Sequence, residues 1–231
     1  MREQPEQQAP PVQRIRIRYA KRGRLRFTSH RDFSRAFERA LVRARVPMAY
    51  SSGFNPHPRI SYAGAAPTGS ASEAEYLEIG LATRLDPDEL GREIDAVLPD
   101  GLDVVAVAES SGGALADLLT ASRWRIDTDA PADELAAAVS AFLAAEEVTV
   151  ERMTKKGMRA FDARAAVVSL TADGSGLDLL LRHAVPAVRP DDVLSALRSV
   201  HPLETGPAPL LTRVEQGVLD DESGVVRPPF D

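Results

Sequence analysis

The sequence has no cysteine among its 231 residues. That excludes disulfides, thiolate zinc sites and cysteine-ligated iron–sulfur clusters, and it suits a cytoplasmic protein. Aromatics are scarce, at 5% with a single Trp. No apolar run approaches the roughly 20 residues needed to span a bilayer, so no membrane is expected as a partner. The first eleven residues, MREQPEQQAPP, are polar and Pro-rich with no apolar h-region, so secretion is not expected either. The glycines at 112–113 and 174–176 are not followed by a Walker Lys-Ser/Thr, and neither a Gly-x-Ser-x-Gly elbow nor a dinucleotide fingerprint occurs. The four histidines, His30, His57, His183 and His201, show no HxH or HxxxH spacing. A metal site would need assembly from distant segments, so neither a metal nor a cofactor is expected.

What is present is ordinary in amount and uneven in place. Apolar residues make up 44% and charged residues 27% of the chain, as in a soluble globular protein. The length allows one large domain or two of about 100 residues each. The net charge of −6 conceals a polarity: residues 1–60 hold 14 Lys/Arg and 4 Asp/Glu, whereas the remainder holds 14 and 30. A basic first quarter suggests a face aimed at phosphates or at an acidic protein. The alternative is that the two halves attract each other.

Hydrophobic periodicity gives the element order. Residues 12–19 alternate Arg14, Arg16 and Arg18 with Ile15, Ile17 and Tyr19, a half-buried strand. Arg22-Gly23 turns the chain, and Leu25 and Phe27 continue an extended piece. Ser29, with Asp32 three residues on, reads as an N-cap. The helix after it runs to about Arg45, with Phe33, Phe37, Ala40, Leu41 and Ala44 on one face and Arg31, Arg35, Arg39 and Arg43 on another. Extended pieces are expected at 48–51 and 59–63, a strand at 75–81, a helix at 86–98 behind an Asp86 cap and Pro87, and a strand at 102–108. The order recurs: strands at 122–127, 147–153 and 158–164, a hairpin of 165–170 with 177–183 across Asp173-Gly174-Ser175-Gly176, helices at 131–144 and 190–200, and a last strand at 210–216. Lys155-Lys156-Gly157 is expected as a turn. This predicts an α+β chain of two tandem ferredoxin-like (βαββαβ) units with antiparallel sheets. Their bounds are 13–110 and 121–217, with a disordered tail at 1–12, a linker at 111–120 and a tail at 218–231.

The richest segment is Tyr50-Ser51-Ser52-Gly53-Phe54-Asn55-Pro56-His57-Pro58-Arg59. It is too irregular for a helix, and ordered loops of this composition are usually placed to contact something. Lys21, Arg26, Ser29, His30, Arg31, Arg35, Arg39 and Arg43, with Tyr50, Ser51, Gly53, Phe54, Asn55, His57 and Arg59, form the expected binding set for nucleic acid or a partner. Arginines would track phosphates, and Tyr19, Phe27, Tyr50 and Phe54 would offer stacking surfaces if exposed. The paired aromatic motifs of the usual ferredoxin-like RNA binder are absent. His30 and His57 are the candidates for acid–base work on a phosphodiester, if they converge. Otherwise they hold the helix start and the loop. Glu73, Glu75 and Glu78 read as an acidic patch on a strand.

One ordered set of motifs carries a resemblance. It comprises Lys21-x-Gly23-x-Leu25-Arg26-Phe27-x-Ser29-His30-x-Asp32, Arg39-Ala40-x-x-Arg43-Ala44, Pro47-x-Ala49-Tyr50-Ser51-x-Gly53-Phe54-Asn55-Pro56-His57-Pro58 and Gly69-x-x-Ser72-x-x-Glu75. It resembles the radical SAM-linked protein family, a bacterial domain of unknown function, over roughly residues 14–110. Gly157-x-x-x-Phe161-Asp162-x-Arg164 extends it more loosely. The resemblance implies an accessory role beside a radical SAM enzyme or a ribonuclease acting in trans, and an RNA-related task. The chain itself cannot be the radical enzyme, because it has no cysteine for the cluster. A more distant similarity is to the tandem ferredoxin-like RAMP proteins, whose Gly-rich loop near the C-terminus is missing here. The sequence thus points to a non-catalytic RNA-binding or substrate-presenting module. A metal-free endonuclease using His30 and His57, or a protein-interaction subunit, stands as the alternative.

Overall fold

The computed structural model describes residues 7–154, 157–174 and 176–230. The turn expected at Lys155-Lys156, Ser175 of the expected hairpin turn, and the extreme ends of both expected tails lie outside the described residues. The chain divides into two compact units. One runs to Leu118 and takes in Pro229 and Phe230; the other is Leu119–Pro228. Both are mixed α+β, and four α-helices occur among the described residues.

The first unit is built on β1 (Gln13–Lys21), the basic strand. β3 (Ala71–Leu81) pairs with it on one side and β4 (Leu102–Glu109) on the other, both antiparallel. β2 (Ile60–Ala63) lines the far edge of β3, also antiparallel. The spatial order is therefore β4-β1-β3-β2. Between β1 and β2 runs α1 (His30–Arg43), and between β3 and β4 runs α2 (Pro87–Asp95). Both helices start where expected: the Ser29 side chain accepts from the Asp32 N–H, and the Asp86 side chain accepts from the Glu89 N–H. The apolar stripe of α1 (Phe33, Phe37 and Leu41) meets Ile15, Ile17 and Tyr19 of β1, Leu77 and Ile79 of β3, and Leu90 and Ile94 of α2 in one core. Phe37 is fully buried, and a side chain of that size typically contributes about 3–5 kcal/mol against truncation to Ala.

Among the boundaries that differ from the sequence expectation, three shape the first unit. Residues 25–27 are not extended: Gly23–Phe27 form a short 3-10 turn, because the chain must change direction between the end of β1 and the start of α1. Hydrogen bonds from Leu25 N to Arg22 O (3.0 Å) and from Gly69 N to Arg26 O (2.8 Å) hold the turn in place. α2 stops at Asp95 rather than 98. β3 begins at Ala71 rather than 75, so Glu73, Glu75 and Glu78 all lie on a strand beside β1.

The second unit repeats the order. β5 (Ala121–Asp127) lies between β10 (Leu210–Leu219) and β9 (Gly176–Arg182), and β8 (Val167–Asp173) closes the edge, giving β10-β5-β9-β8. All three pairings are antiparallel. α3 (Ala132–Ala144) and α4 (Pro190–Val200) are its helices. A separate hairpin, β6 (Thr149–Thr154) with β7 (Gly157–Asp162), is inserted after α3. The final segment is ordered to Phe230 and carries structure: β11 (Val226–Arg227) pairs with β10. Beyond it, Pro229 is buried and Phe230 meets the Tyr76 ring edge-on at 5.9 Å. Among the described residues, no helix is long and apolar enough to cross a membrane.

Candidate functional site

Each arginine of β1 makes at least one hydrogen bond inside the unit. Arg16 is fully buried. Its Nε donates to Glu78 Oε2 at 3.1 Å, its Nη1 to the Pro229 carbonyl at 2.8 Å, and its Nη2 to the carbonyls of Gly112 and Gly113. Glu78 is buried as well; it also accepts from Arg14 Nη1 at 3.1 Å and from the Ser110 hydroxyl at 2.9 Å. Arg18 Nε donates to the Glu73 carbonyl at 2.7 Å. Arg22 is clasped by the carboxylates of Glu73 and Asp103. Glu78 is thus the counter-charge of Arg14 and Arg16, and Glu73 that of Arg22, which explains why Arg16 and Glu78 tolerate burial.

The arginines of α1 have a different fate. Arg31, Arg35, Arg39 and Arg43 are all exposed, and among the described residues none has a carboxylate or hydrogen-bond partner. At about 1.5 Å per residue their Cα atoms step along the helix roughly 6 Å apart, a row of cations about 18 Å long. Phe27, three residues before α1, is 59% exposed, with the Arg26 guanidinium 4.7 Å from its ring centroid. Tyr19 is not available for stacking: it lies in the core, its ring parallel to Phe33 at 4.3 Å. Lys21 is also buried, with Nζ 3.5 Å from the Pro67 carbonyl, so it stands apart from the exposed cations.

The segment 50–59 is a loop tied at its neck. Tyr50 and Pro58 form a bridge, Ser51 N donates to His57 O at 2.9 Å, and the Ser51 hydroxyl accepts from His57 N at 3.0 Å. Arg59 Nε donates to the Tyr50 carbonyl at 3.1 Å. The tip projects: Phe54 is 67% exposed and Asn55 is exposed beside it. Gly53 carries the reversal at φ +127°, a conformation that L side chains rarely adopt. Beside the neck lies a groove of about 320 Å³ lined by Arg14, Ser51, His57, Arg59, Ser61 and Glu78, with Pro11, Pro58, Ile60 and Gly80 completing the wall. The sequence reading found the loop but not the groove, because Arg14, Ser61 and Glu78 come from three other strands.

His30 and His57 are not brought into one site. His57 lines that groove. His30, the first residue of α1, lies edge-on to Tyr62 at 5.0 Å and borders a small separate cavity with Lys21, Phe33 and Glu75. The two cavities share no lining residue. Burial holds the Tyr62 hydroxyl above the ordinary phenol range. His183 is structural: its ring bridges the Leu119 carbonyl (2.6 Å) and the Ser122 hydroxyl (3.0 Å), and Trp124 Nε1 donates to the same hydroxyl at 2.9 Å. His201 closes the C-terminus of α4.

Residues 14–190 match the family described as an uncharacterized protein conserved in bacteria, DUF2344, and the chain belongs to that family. The matched span contains all of α1 and every groove residue except Pro11. No curated protein matches the chain. Among solved structures, the crystal structure of an unknown protein from Galdieria sulphuraria is similar at 14% identity, covering 88% of this chain and 99% of that one with a TM-score of 0.27. A likeness at that score adds nothing to the fold or the site.

Proposed function

We propose that this member of an uncharacterized bacterial family is a cytoplasmic accessory module that binds RNA, or presents a substrate, for a radical SAM enzyme or an RNA-processing machine. The observation that carries the reading is the row of exposed arginines on α1, which have no partner among the described residues. Cations left without counter-charge are available to phosphates, and exposed Phe27, Tyr50 and Phe54 supply faces on which bases stack. The motif resemblance supplies the radical SAM link. The two units are read as tandem ferredoxin-like folds on the repeated orders β4-β1-β3-β2 and β10-β5-β9-β8. No catalysis is assigned, since His30 and His57 line separate cavities.

The test is retention of single-stranded RNA by the purified chain across a salt series, beside a combined Arg31→Glu, Arg35→Glu, Arg39→Glu variant. Four phosphate contacts give a log–log salt slope of about −3 for a single strand, and the variant loses roughly 2 of it. Wild-type protein that retains no RNA at low salt overturns the reading and leaves a protein-interaction subunit. RNA binding unchanged in the variant removes α1 as the interface.

A further inference from the structure

We infer that the groove beside the 50–59 loop is a binding site for a terminal phosphate, a phosphomonoester held between Arg14 and Arg59. Three donors converge there with capacity to spare. Arg14 spends only Nη1, on Glu78, and its side chain is 58% exposed. Arg59 spends only Nε, on the Tyr50 carbonyl, which fixes its guanidinium plane while leaving both Nη groups uncommitted. His57, held through its backbone by Ser51, has no side-chain partner among the described residues.

The one carboxylate in the wall does not oppose an anion. Glu78 is already clasped by Arg14, by buried Arg16 and by the Ser110 hydroxyl. Two guanidiniums, Arg14 and Arg59, line the groove against this one carboxylate, which buried Arg16 already pairs from behind, so the groove has a surplus of positive charge. A phosphomonoester fits this better than a diester, because it brings about two negative charges and three acceptor oxygens to a forked donor set. The Ser61 hydroxyl is a further lining donor. A volume of about 320 Å³ is at the small end of ligand sites and admits a phosphate with the sugar that carries it. The groove floor is close-packed: a Cβ on Gly80 would lie 3.1 Å from the Pro11 ring and 3.3 Å from Arg59 Cβ. Any larger residue there would push Pro11 and Arg59 apart.

The phosphomonoester could belong to a free mononucleotide or to the 5′ end of an RNA. Only the second source rests on the RNA reading above. The experiment measures binding of four probes to the full chain by calorimetry: adenosine 5′-monophosphate, adenosine, and one ten-nucleotide RNA with a 5′-phosphate or a 5′-hydroxyl. Arg14→Gln, Arg59→Gln and His57→Gln variants are measured beside the wild type. Preference for the monophosphate over adenosine, weakened about 10- to 100-fold in Arg59→Gln or Arg14→Gln, supports a nucleotide site. Preference for the 5′-phosphorylated RNA with the same sensitivity, and no binding of the monophosphate, supports an RNA-end site. No discrimination between either phosphorylated probe and its counterpart overturns the inference, as does discrimination that survives both arginine variants. If Arg59→Gln loosens the loop, Arg14→Gln still decides, since Glu78 keeps Arg16 and the Ser110 hydroxyl as partners when Arg14 is replaced. Equal retention of both RNAs, lost in the α1 variant, together with no preference for the monophosphate over adenosine, leaves the RNA reading standing and this inference refuted. Monophosphate binding without RNA retention does the reverse.

Discussion

β1 and α1 are both arginine-rich, they are separated by a single short turn, and their arginines end up doing opposite things. On β1 the guanidiniums face a neighbouring strand that carries Glu73 and Glu78, and each is drawn into a hydrogen bond or ion pair there, from Arg14, which stays half exposed and keeps donors to spare, to fully buried Arg16. On α1 the same side chain at four-residue spacing is exposed and meets no acceptor among the described residues. A run of positive charge in a sequence is therefore two different objects, and what separates them is the strand packed alongside. The first kind holds the unit together. The second is available for something outside it.

The comparison breaks most easily at Arg16. Arg16→Met would keep roughly the volume but leave Glu78 short of its buried partner, with the Pro229, Gly112 and Gly113 carbonyls losing their donor. Breaking a buried pair from one side costs about 3–5 kcal/mol. For a chain of this size that is a fall of roughly 6–20 °C in the unfolding midpoint. A change under about 1 kcal/mol in chemical denaturation would mean that Arg16 is not the keystone of this network. Because Pro229 is one of its partners, removing residues 229–231 should cost part of the same stability, and less than the Arg16 change.

The second unit offers a smaller case of a buried polar group fully partnered. In neutral His183, Nδ1–H donates to the Leu119 carbonyl and Nε2 accepts from the Ser122 hydroxyl, which in turn accepts from Trp124. Protonation puts a second N–H against Ser122 and a charge in a desolvated site near Arg213. Burial, then Arg213, holds this histidine below its ordinary value of 6.5, with the Leu119 hydrogen bond acting the other way. A folded value below the unfolded one means the unfolded chain binds the proton more readily. The stabilisation is present in full above about pH 6.5 and is lost as pH falls below it. Unfolding followed by the fluorescence of Trp124, the one Trp of the chain, should show stability dropping from pH 7 towards pH 5. His183→Gln should flatten that slope. A slope unchanged by the substitution would place the pH dependence elsewhere.

The contrast also marks what could be read from the residues alone. Ile15, Ile17 and Tyr19 declared a buried face by alternation, and Phe33, Phe37 and Leu41 declared another by helical spacing; both lie in the core. Ser29 and Asp86 declared the helix starts, because a cap is a local hydrogen bond. The burial of Arg16 was not legible. Period two placed it opposite Ile15 and Ile17, and its partners lie 62, 96 and 213 residues away. Glu73, Glu75 and Glu78 read only as an acidic patch for the same reason. The loop at 50–59 stood out by composition, yet the groove beside it needs Arg14, Ser61 and Glu78 from β1, β2 and β3. Long-range pairing, not local propensity, decided every one of these points.

The smallest expected effect is the most telling about α1. Arg31, Arg35, Arg39 and Arg43 are like charges at i, i+4, and each such pair destabilises a helix by about 0.2–0.5 kcal/mol. Arg35 sits in two of those pairs. Gln has similar helix propensity, so Arg35→Gln should leave the unfolding free energy unchanged or raise it by a few tenths of a kcal/mol, a gain that added salt diminishes by screening the same repulsion in the wild type. An exposed residue with a structural partner would behave otherwise: a loss above about 1 kcal/mol would mean that Arg35 is held by the protein, as Arg16 is, and the row on α1 would no longer be free for phosphates. A small gain would mean that the helix carries its four charges against its own stability. A fold has no use for that arrangement by itself, and a polyanion would relieve it on binding.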